Sequence, residues 1–209
     1  MRIMEIIETF TSLQGEGLKM GIPTFFIRAA GCNLDCRWCD TKYAFGKGTE
    51  RNVRDLVAEC DVSHVCITGG EPMLQKDLPE LLDLFLAEGK HIVLETNGSL
   101  DISGLPKNDN LMISMDIKCP SSGMSDKMLF SNIFVLGQKD QLKFIIDNGE
   151  DLDFAEDILM KYPPDTNVIF SPSGGLDLEP LAEEVLSRGL EVRVLPQLHK
   201  IIWGDRRSV

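Results

Sequence analysis

Apolar positions along this chain come in short, β-prone runs that alternate with stretches of helical spacing, and that order predicts an α/β fold. Ile3–Phe10 alternates loosely and leads into the Gly-punctuated segment Thr11–Gly17, which reads as a loop. Thr24–Ala30 reads as the first core strand, Val53–Glu59 as a short helix, and Ser63–Thr68 as a buried strand ending in the turn Gly69-Gly70-Glu71-Pro72. Asp77–Ala87 has helical spacing, with Asp and Pro at its start and Glu88-Gly89-Lys90 as its stop. His91–Glu95, Leu111–Asp116, Gln141–Ile146, Asn167–Phe170 and Glu191–Leu195 read as further strands, with amphipathic helices over Asp151–Met160 and Glu179–Arg188. The acidic faces of those helices read as solvated, and Pro120–Met124 as a mobile loop.

Strand and helix in alternation, joined by right-handed crossovers, predict six to seven mostly parallel strands with the helices outside. At 209 residues the sheet is expected to curve into a partial, incomplete TIM-type barrel rather than a closed eight-stranded one. Residues 1–209 read as a single domain, with no repeat beyond the β/α alternation and no low-complexity tract. Small polar groups recur at strand tips, at Thr96-Asn97-Gly98-Ser99 and at Asp116 with Lys118. In parallel β/α architecture those tips converge on one mouth, where active sites form.

Composition changes this picture little: 43% apolar and 26% charged residues are ordinary globular values. Charge narrows the partners. A net charge of −12 opposes binding to nucleic acid or anionic membranes, and the short basic stretch from Lys200 to Arg207 does not overturn it. Acids at Glu5 and Glu8 interrupt any leader-like apolar run, and no segment has the length of a membrane span. Six cysteines are too few for a disulfide scaffold in a chain of this length, so a reducing, cytoplasmic setting is expected.

Three of those cysteines carry the chemistry. Cys32, Cys36 and Cys39 form a Cys-x3-Cys-x2-Cys loop directly after the strand at Thr24–Ala30. Thiolates are soft donors, and so short a loop suits one compact metal centre of the iron-sulfur kind. Three ligands leave one iron of a four-iron cluster open to a substrate or cosubstrate. Structural zinc would close its shell with a fourth Cys or His, and none stands at that spacing; His64 lies too far downstream, and Cys60 and Cys66 fall in a helix end and a strand. Arg28 is a charge inside an apolar strand, placed to grip a carboxylate bidentately. The segment Thr11–Gly17 reads equally as a plain connection and as a loop that folds over a polar heterocycle. His91 and His199 show no partner pattern and read as structural.

The cysteine spacing, Trp38 beside the third cysteine, and Thr68-Gly69-Gly70-Glu71-Pro72 together resemble the radical S-adenosylmethionine (SAM) superfamily. Further stretches resemble one family within it, the 7-carboxy-7-deazaguanine synthases: Ser12-Leu13-Gln14-Gly15-Glu16-Gly17, Phe26-Ile27-Arg28, Cys39-Asp40-Thr41, Lys118-Cys119-Pro120-Ser121-Ser122-Gly123 and Gln197-Leu198-His199-Lys200. The resemblance implies a [4Fe-4S] cluster on Cys32, Cys36 and Cys39, and SAM contacts at Trp38, Cys39, Asp40, Gly69, Gly70, Glu71, Asp116 and Lys118. It implies a Mg²⁺ ion at Thr41 and a pterin held by Leu13, Gln14, Gly15, Glu16, Arg28 and Thr68. The implied reaction converts 6-carboxy-5,6,7,8-tetrahydropterin to 7-carboxy-7-deazaguanine with loss of ammonia, towards queuosine or archaeosine. An electron donor of the flavodoxin or ferredoxin type and a homodimer are expected with it. Some family members carry Ser-Pro-Lys where this chain has Asp116-Ile117-Lys118. The rival reading is an activase that uses the same cluster and SAM to take hydrogen from a glycine of a partner protein. An electron-transfer iron-sulfur module is the third reading, and it leaves the SAM-type turn unexplained.

Overall fold

The computed structural model describes residues 2–209. Its strands are β1 (Ile3–Leu13), β2 (Pro23–Ala29), β3 (Thr49–Asn52), β4 (His64–Gly69), β5 (His91–Thr96), β6 (Leu111–Ile117), β7 (Gln141–Ile146), β8 (Asn167–Pro172) and β9 (Arg193–Val194). The helices are α1 (Val53–Ala58), α2 (Leu78–Ala87), α3 (Gly149–Lys161), α4 (Glu179–Ser187) and α5 (Leu198–Trp203). All nine strands join one open sheet in the order β3-β1-β2-β4-β5-β6-β7-β8-β9. From β2 onwards the neighbours run parallel, which makes seven parallel strands, while β1 is antiparallel to both β2 and β3. The partial barrel expected from the β/α alternation is present, extended by two antiparallel strands.

Each departure from the sequence expectation has a physical cause in the structure. Thr11 and Ser12 lie in the segment read as a loop, yet they pair with Phe25 and Thr24, so β1 runs on to Leu13. The four residues of β3 are too polar to signal a strand, and they are held only by pairing with Ile3–Ile6 at the sheet edge. Helix α3 starts ahead of Asp151, because the side chain of Asn148 accepts the Asp151 N–H at 3.1 Å and caps the helix there. The segment read as mobile, Pro120–Ser122, is a 3₁₀ turn whose Ser121 and Ser122 are buried. Asp151, read as solvated, is fully buried and accepts from the Ser121 N–H at 2.9 Å and from its hydroxyl.

Strand alternation then decides what faces where. Ile27, Ile67 and Leu94 pack under α1 and α2 with Leu56, Leu81, Leu82 and Phe85. Leu142, Phe144 and Phe170 do the same under α3 and α4 with Leu152, Ala155, Leu181 and Val185. Each such large buried side chain contributes about 1.5–3 kcal/mol. The residues between them point to the inner face, which grades from apolar to polar along the strands. Its floor is Phe26, Cys66, Val93 and Met112, neighbours in the register, with Phe10 stacked on Phe26 at 5.0 Å. One inward step further up stand Arg28 beside Thr68, Glu95 beside Ser114, and Gln141; above these come Asp116 and Lys143. A period of two thus turns each strand into one wall position for the core and one for the cavity.

Candidate active site

The polar inner face opens into a cavity of about 730 Å³. Every residue singled out above as a cluster, SAM, magnesium or pterin contact lines it, with the single exception of Glu71. Residues far apart in sequence, from Leu13 to Lys118, are therefore brought to one space.

The thiol wall is a loop between β2 and a short 3₁₀ turn at Lys42–Phe45. The Leu34 N–H points to Cys32 Sγ at 3.5 Å, the Thr41 N–H to Cys39 Sγ at 3.4 Å, and Asn97 Nδ2 to Cys32 Sγ at 3.9 Å. Amide donors aimed at sulfur suit anionic, metal-bound thiolates. Burial pushes the Cys36 and Cys39 thiols up; Lys118 opposes this at Cys36 and the Thr41 N–H at Cys39. Thiols held in this way ionise readily only against a cation, so the donor set fits an iron-sulfur cluster held by three cysteines. The loop is tied from behind, since the Arg37 N–H donates to the Ser122 carbonyl at 2.9 Å and Trp38 Nε1 to Ser121 Oγ at 3.2 Å.

The turn after β4 packs against the base of that loop. A Cβ on Gly70 would stand 1.9 Å from the Gly31 carbonyl oxygen, and one on Gly69, at φ +141°, 2.2 Å from that of Ala29. These glycines are required by backbone meeting backbone, whatever ligand lies above them. Glu71 sits below the cavity at 0% exposure. Its carboxylate accepts from the Met73 N–H at 2.9 Å, Thr96 Oγ1 at 2.9 Å and the Asn97 N–H at 2.7 Å. Burial raises its pKa despite those three donors. The structure thus gives Glu71 the task of joining the β4 turn to the β5 tip, and only the Gly-Gly backbone above it faces the cavity.

The other predicted contacts are arranged as follows. Arg28 donates through Nε to Glu8 at 2.7 Å, its guanidinium 5.8 Å from the Tyr43 ring, so one edge of its fork is engaged within the protein. Thr68 Oγ1 donates to Glu95 at 2.8 Å. Thr41 Oγ1 donates to Asp40 at 2.7 Å and makes no capping bond to the turn that follows. Lys118 Nζ donates to Asp116 Oδ2 at 2.6 Å. Burial works against both charges of that pair, but each partner outweighs it, so the Asp116 carboxyl is held low and the Lys118 ammonium high.

The strand tip at Thr96 and Asn97 lines the cavity as expected, but sequence reasoning missed much of the opposite wall. Glu95, Lys143, Ser173, Gln197 and His199 line the cavity, as does Gly204–Val209 at its mouth. Gln197 Nε2 donates to Glu16 Oε1 at 2.7 Å, and the His199 ring lies where a Cβ on Gly15 would be, 2.3 Å from Nδ1. His199, read as structural, is a wall of the cavity. The Arg207 guanidinium lies 3.9 Å from the Tyr43 ring centroid, and Ser208 Oγ donates to Glu8 at 2.6 Å. The available signal was the pattern Gln141-Leu142-Lys143-Phe144, where polar residues alternate with core residues inside a buried strand.

A half-barrel with three thiols on the loop after its first parallel strand defines a class, and the model of the Radical SAM superfamily matches residues 26–122, from β2 to the buried turn after β6. That class works with a [4Fe-4S] cluster and SAM. Over 205 residues the chain is 40% identical to the 7-carboxy-7-deazaguanine synthase of Thermoplasma acidophilum, covering 97% of this chain and 98% of that one. It is 45% identical to the enzyme of the same name from Methanospirillum hungatei, covering 95% and 85%. The crystal structure of QueE from Escherichia coli superposes with a TM-score of 0.75 at 25% identity, covering 92% of each chain. The chain belongs to the 7-carboxy-7-deazaguanine synthase family.

Proposed function

We propose that this chain, acting as one radical SAM core domain over residues 1–209, converts 6-carboxy-5,6,7,8-tetrahydropterin to 7-carboxy-7-deazaguanine with release of ammonia, a step towards queuosine or archaeosine. The observation that carries this reading is the convergence of Leu13–Glu16, Arg28 and Thr68 with the three thiols on one cavity. A protein-loop substrate, as an activase would take, needs no such enclosing ring of hydrogen-bonding groups.

Cys32, Cys36 and Cys39 would hold the cluster, with SAM against Trp38, Cys39, Asp40, the Gly69-Gly70 backbone, Asp116 and Lys118. When bound, cluster and SAM supply a one-electron cleavage that yields a hydrogen-abstracting carbon radical. The chain's own residues bind and orient. The backbone of Leu13, Gln14 and Gly15 and the Glu16 carboxylate would meet the pterin edge, and the free edge of the Arg28 fork would take the substrate carboxylate. A site lined by buried polar groups rejects analogues that leave them unpaired. The Thr41 hydroxyl beside Asp40 supports a Mg²⁺ site there, since Mg²⁺ takes hard oxygen ligands, few of them from protein. A flavodoxin- or ferredoxin-type donor, a homodimer and a cytoplasmic setting follow from the family resemblance and from the need to keep the thiolates reduced.

The test is anaerobic turnover of the iron-reconstituted protein with SAM, dithionite and the tetrahydropterin, with and without Mg²⁺, followed by product mass and ammonia. Formation of the deazaguanine, stimulated by Mg²⁺ and less so in Thr41→Ala, is expected. Cleavage of SAM without that product would move the reading to an activase.

A further inference from the structure

Lys143 is a charge in the cavity to which the family motifs give no task. Lys143 stands in the middle of β7, and its side chain is 6% exposed. Its strand neighbours Leu142 and Phe144 enter the helix-side core, so Lys143 faces inward with Gln141. Nζ donates to Glu16 Oε2 and lies 3.6 Å from Asp116 Oδ1. The remaining oxygens of those carboxylates are held elsewhere, Glu16 Oε1 by Gln197 and Asp116 Oδ2 by Lys118. Glu95, from β5, is the third acid whose charge bears on Lys143.

Removing an ammonium from water costs several kcal/mol, so an apolar side chain would fill this place at less cost if filling were all that was needed. What the position needs is a cation. Glu16, Glu95 and Asp116 enter one desolvated space from three elements, and like charges there drive one another towards protonation. Burial opposes ionisation of Glu16, yet the Lys143 charge and hydrogen bond outweigh it and hold the Glu16 carboxyl below its usual range. Reciprocally, burial would lower the Lys143 pKa, but the three carboxylates keep it well above that of a free lysine. An amine held so firmly as ammonium exchanges no proton with a substrate near neutral pH. Its contribution is a fixed charge at a fixed place.

We propose that Lys143 is a positioning residue that holds the Glu16 carboxylate ionised against β7 and ties it to Asp116, so that the acceptor edge offered to the pterin and the SAM-side tip of β6 form one preorganised strip. This rests on the reading of Glu16 as a pterin contact and goes beyond it. Glu16 is held between the inner face of β7 and Gln197, and Gln141 Oε1 accepts the Leu18 N–H at 2.8 Å, which fixes the same loop.

The test uses reconstituted Lys143→Met and Lys143→Arg enzymes. Around Glu16 and Lys143 the charged or titratable groups are Asp116 from β6, Lys118 directly after it, Glu95 from β5 and His199 from α5. In Lys143→Met we expect KM for the tetrahydropterin to rise about tenfold or more while kcat falls less, as for a lost charge-assisted hydrogen bond. The acid limb of kcat/KM is expected to move to higher pH, because Glu16 loses the cation that keeps it ionised. Lys143→Arg is expected to leave that limb where it is. A Lys143→Met enzyme with unchanged KM and limb overturns the proposal, and so does a Lys143→Arg enzyme whose limb moves, even if the Met variant does not fold. Should wild-type protein not turn over the tetrahydropterin, the functional assignment fails first, and urea unfolding against pH tests Lys143 by itself. Wild-type stability is expected to drop as pH falls below the usual carboxylate range, where Glu16 protonates, and Lys143→Met to lose that drop; equal acid profiles overturn the proposal.

Discussion

The two walls of the cavity are built in opposite ways. The thiol wall comes from a single run, Ala30–Thr41, braced by the turn after β4, so its residues are near neighbours in the chain as well as in space. The far wall takes Glu16 from the loop after β1, Asp116 from β6, Lys143 from β7, and Gln197 and His199 from the start of α5. One wall is held by backbone: N–H groups on sulfur, the Arg37 N–H on Ser122, and Gly70 against Gly31. The other is held by charge. A soft metal centre needs a rigid loop with closely spaced thiolates, whereas recognition of a flat polar heterocycle needs donors and acceptors arriving from several directions.

The comparison can be broken most severely on the thiol side. Cys36→Ala is expected to abolish cluster binding and turnover together while leaving the sheet folded, seen as loss of the visible iron-sulfur absorbance with unchanged far-UV circular dichroism. An active variant without a cluster would refute the assignment of that wall. Glu71→Ala comes next. It leaves two buried N–H groups and one hydroxyl without their acceptor, a loss of about 3 kcal/mol, or roughly 6–12 °C in Tm for a chain of this size. If Glu71 were instead chiefly a ligand to SAM, thermal stability would hold and only SAM affinity would fall. Trp38→Phe should have the smallest effect. Removing the bond from Nε1 to Ser121 costs about 1 kcal/mol, read as a small drop in unfolding midpoint with the cluster retained. Loss of the cluster in this variant would show that the thiol wall depends on its outer tie as much as on its backbone.

How much of each wall was legible follows from the same contrast. The meeting of Cys32, Cys36 and Cys39 on one side of the cavity was readable from spacing alone, because residues on so short a loop stay neighbours in space. Thr68-Gly69-Gly70 was readable as a turn, but the reason for its glycines was not: they admit the backbone of Ala29 and Gly31, which only the parallel register of β2 and β4 brings there. The bracing of Glu71 against the β5 tip was not readable, because it depends on where Thr96 and Asn97 arrive. Arg28 was noticed as a charge in an apolar strand. The same argument applied to Lys143 and went unused. Helix α5 and the cavity-lining residues after it carry too little apolar periodicity to reveal their place in the wall.

The sequence by itself determined the class of fold, an open sheet of six to seven mostly parallel strands with helices outside, and the close spacing of the three thiols, since both depend on periodicity or spacing over a few residues. Tertiary structure decided how far β1 extends, that β3 exists, that Pro120–Ser122 is buried on Asp151, and which charges meet across the cavity. The physical reason is the range of each interaction. Hydrophobic alternation and metal spacing act between residues close in the chain, whereas the meeting of Lys143 with Glu16, 127 positions apart, exists only after the sheet has brought both to its inner face.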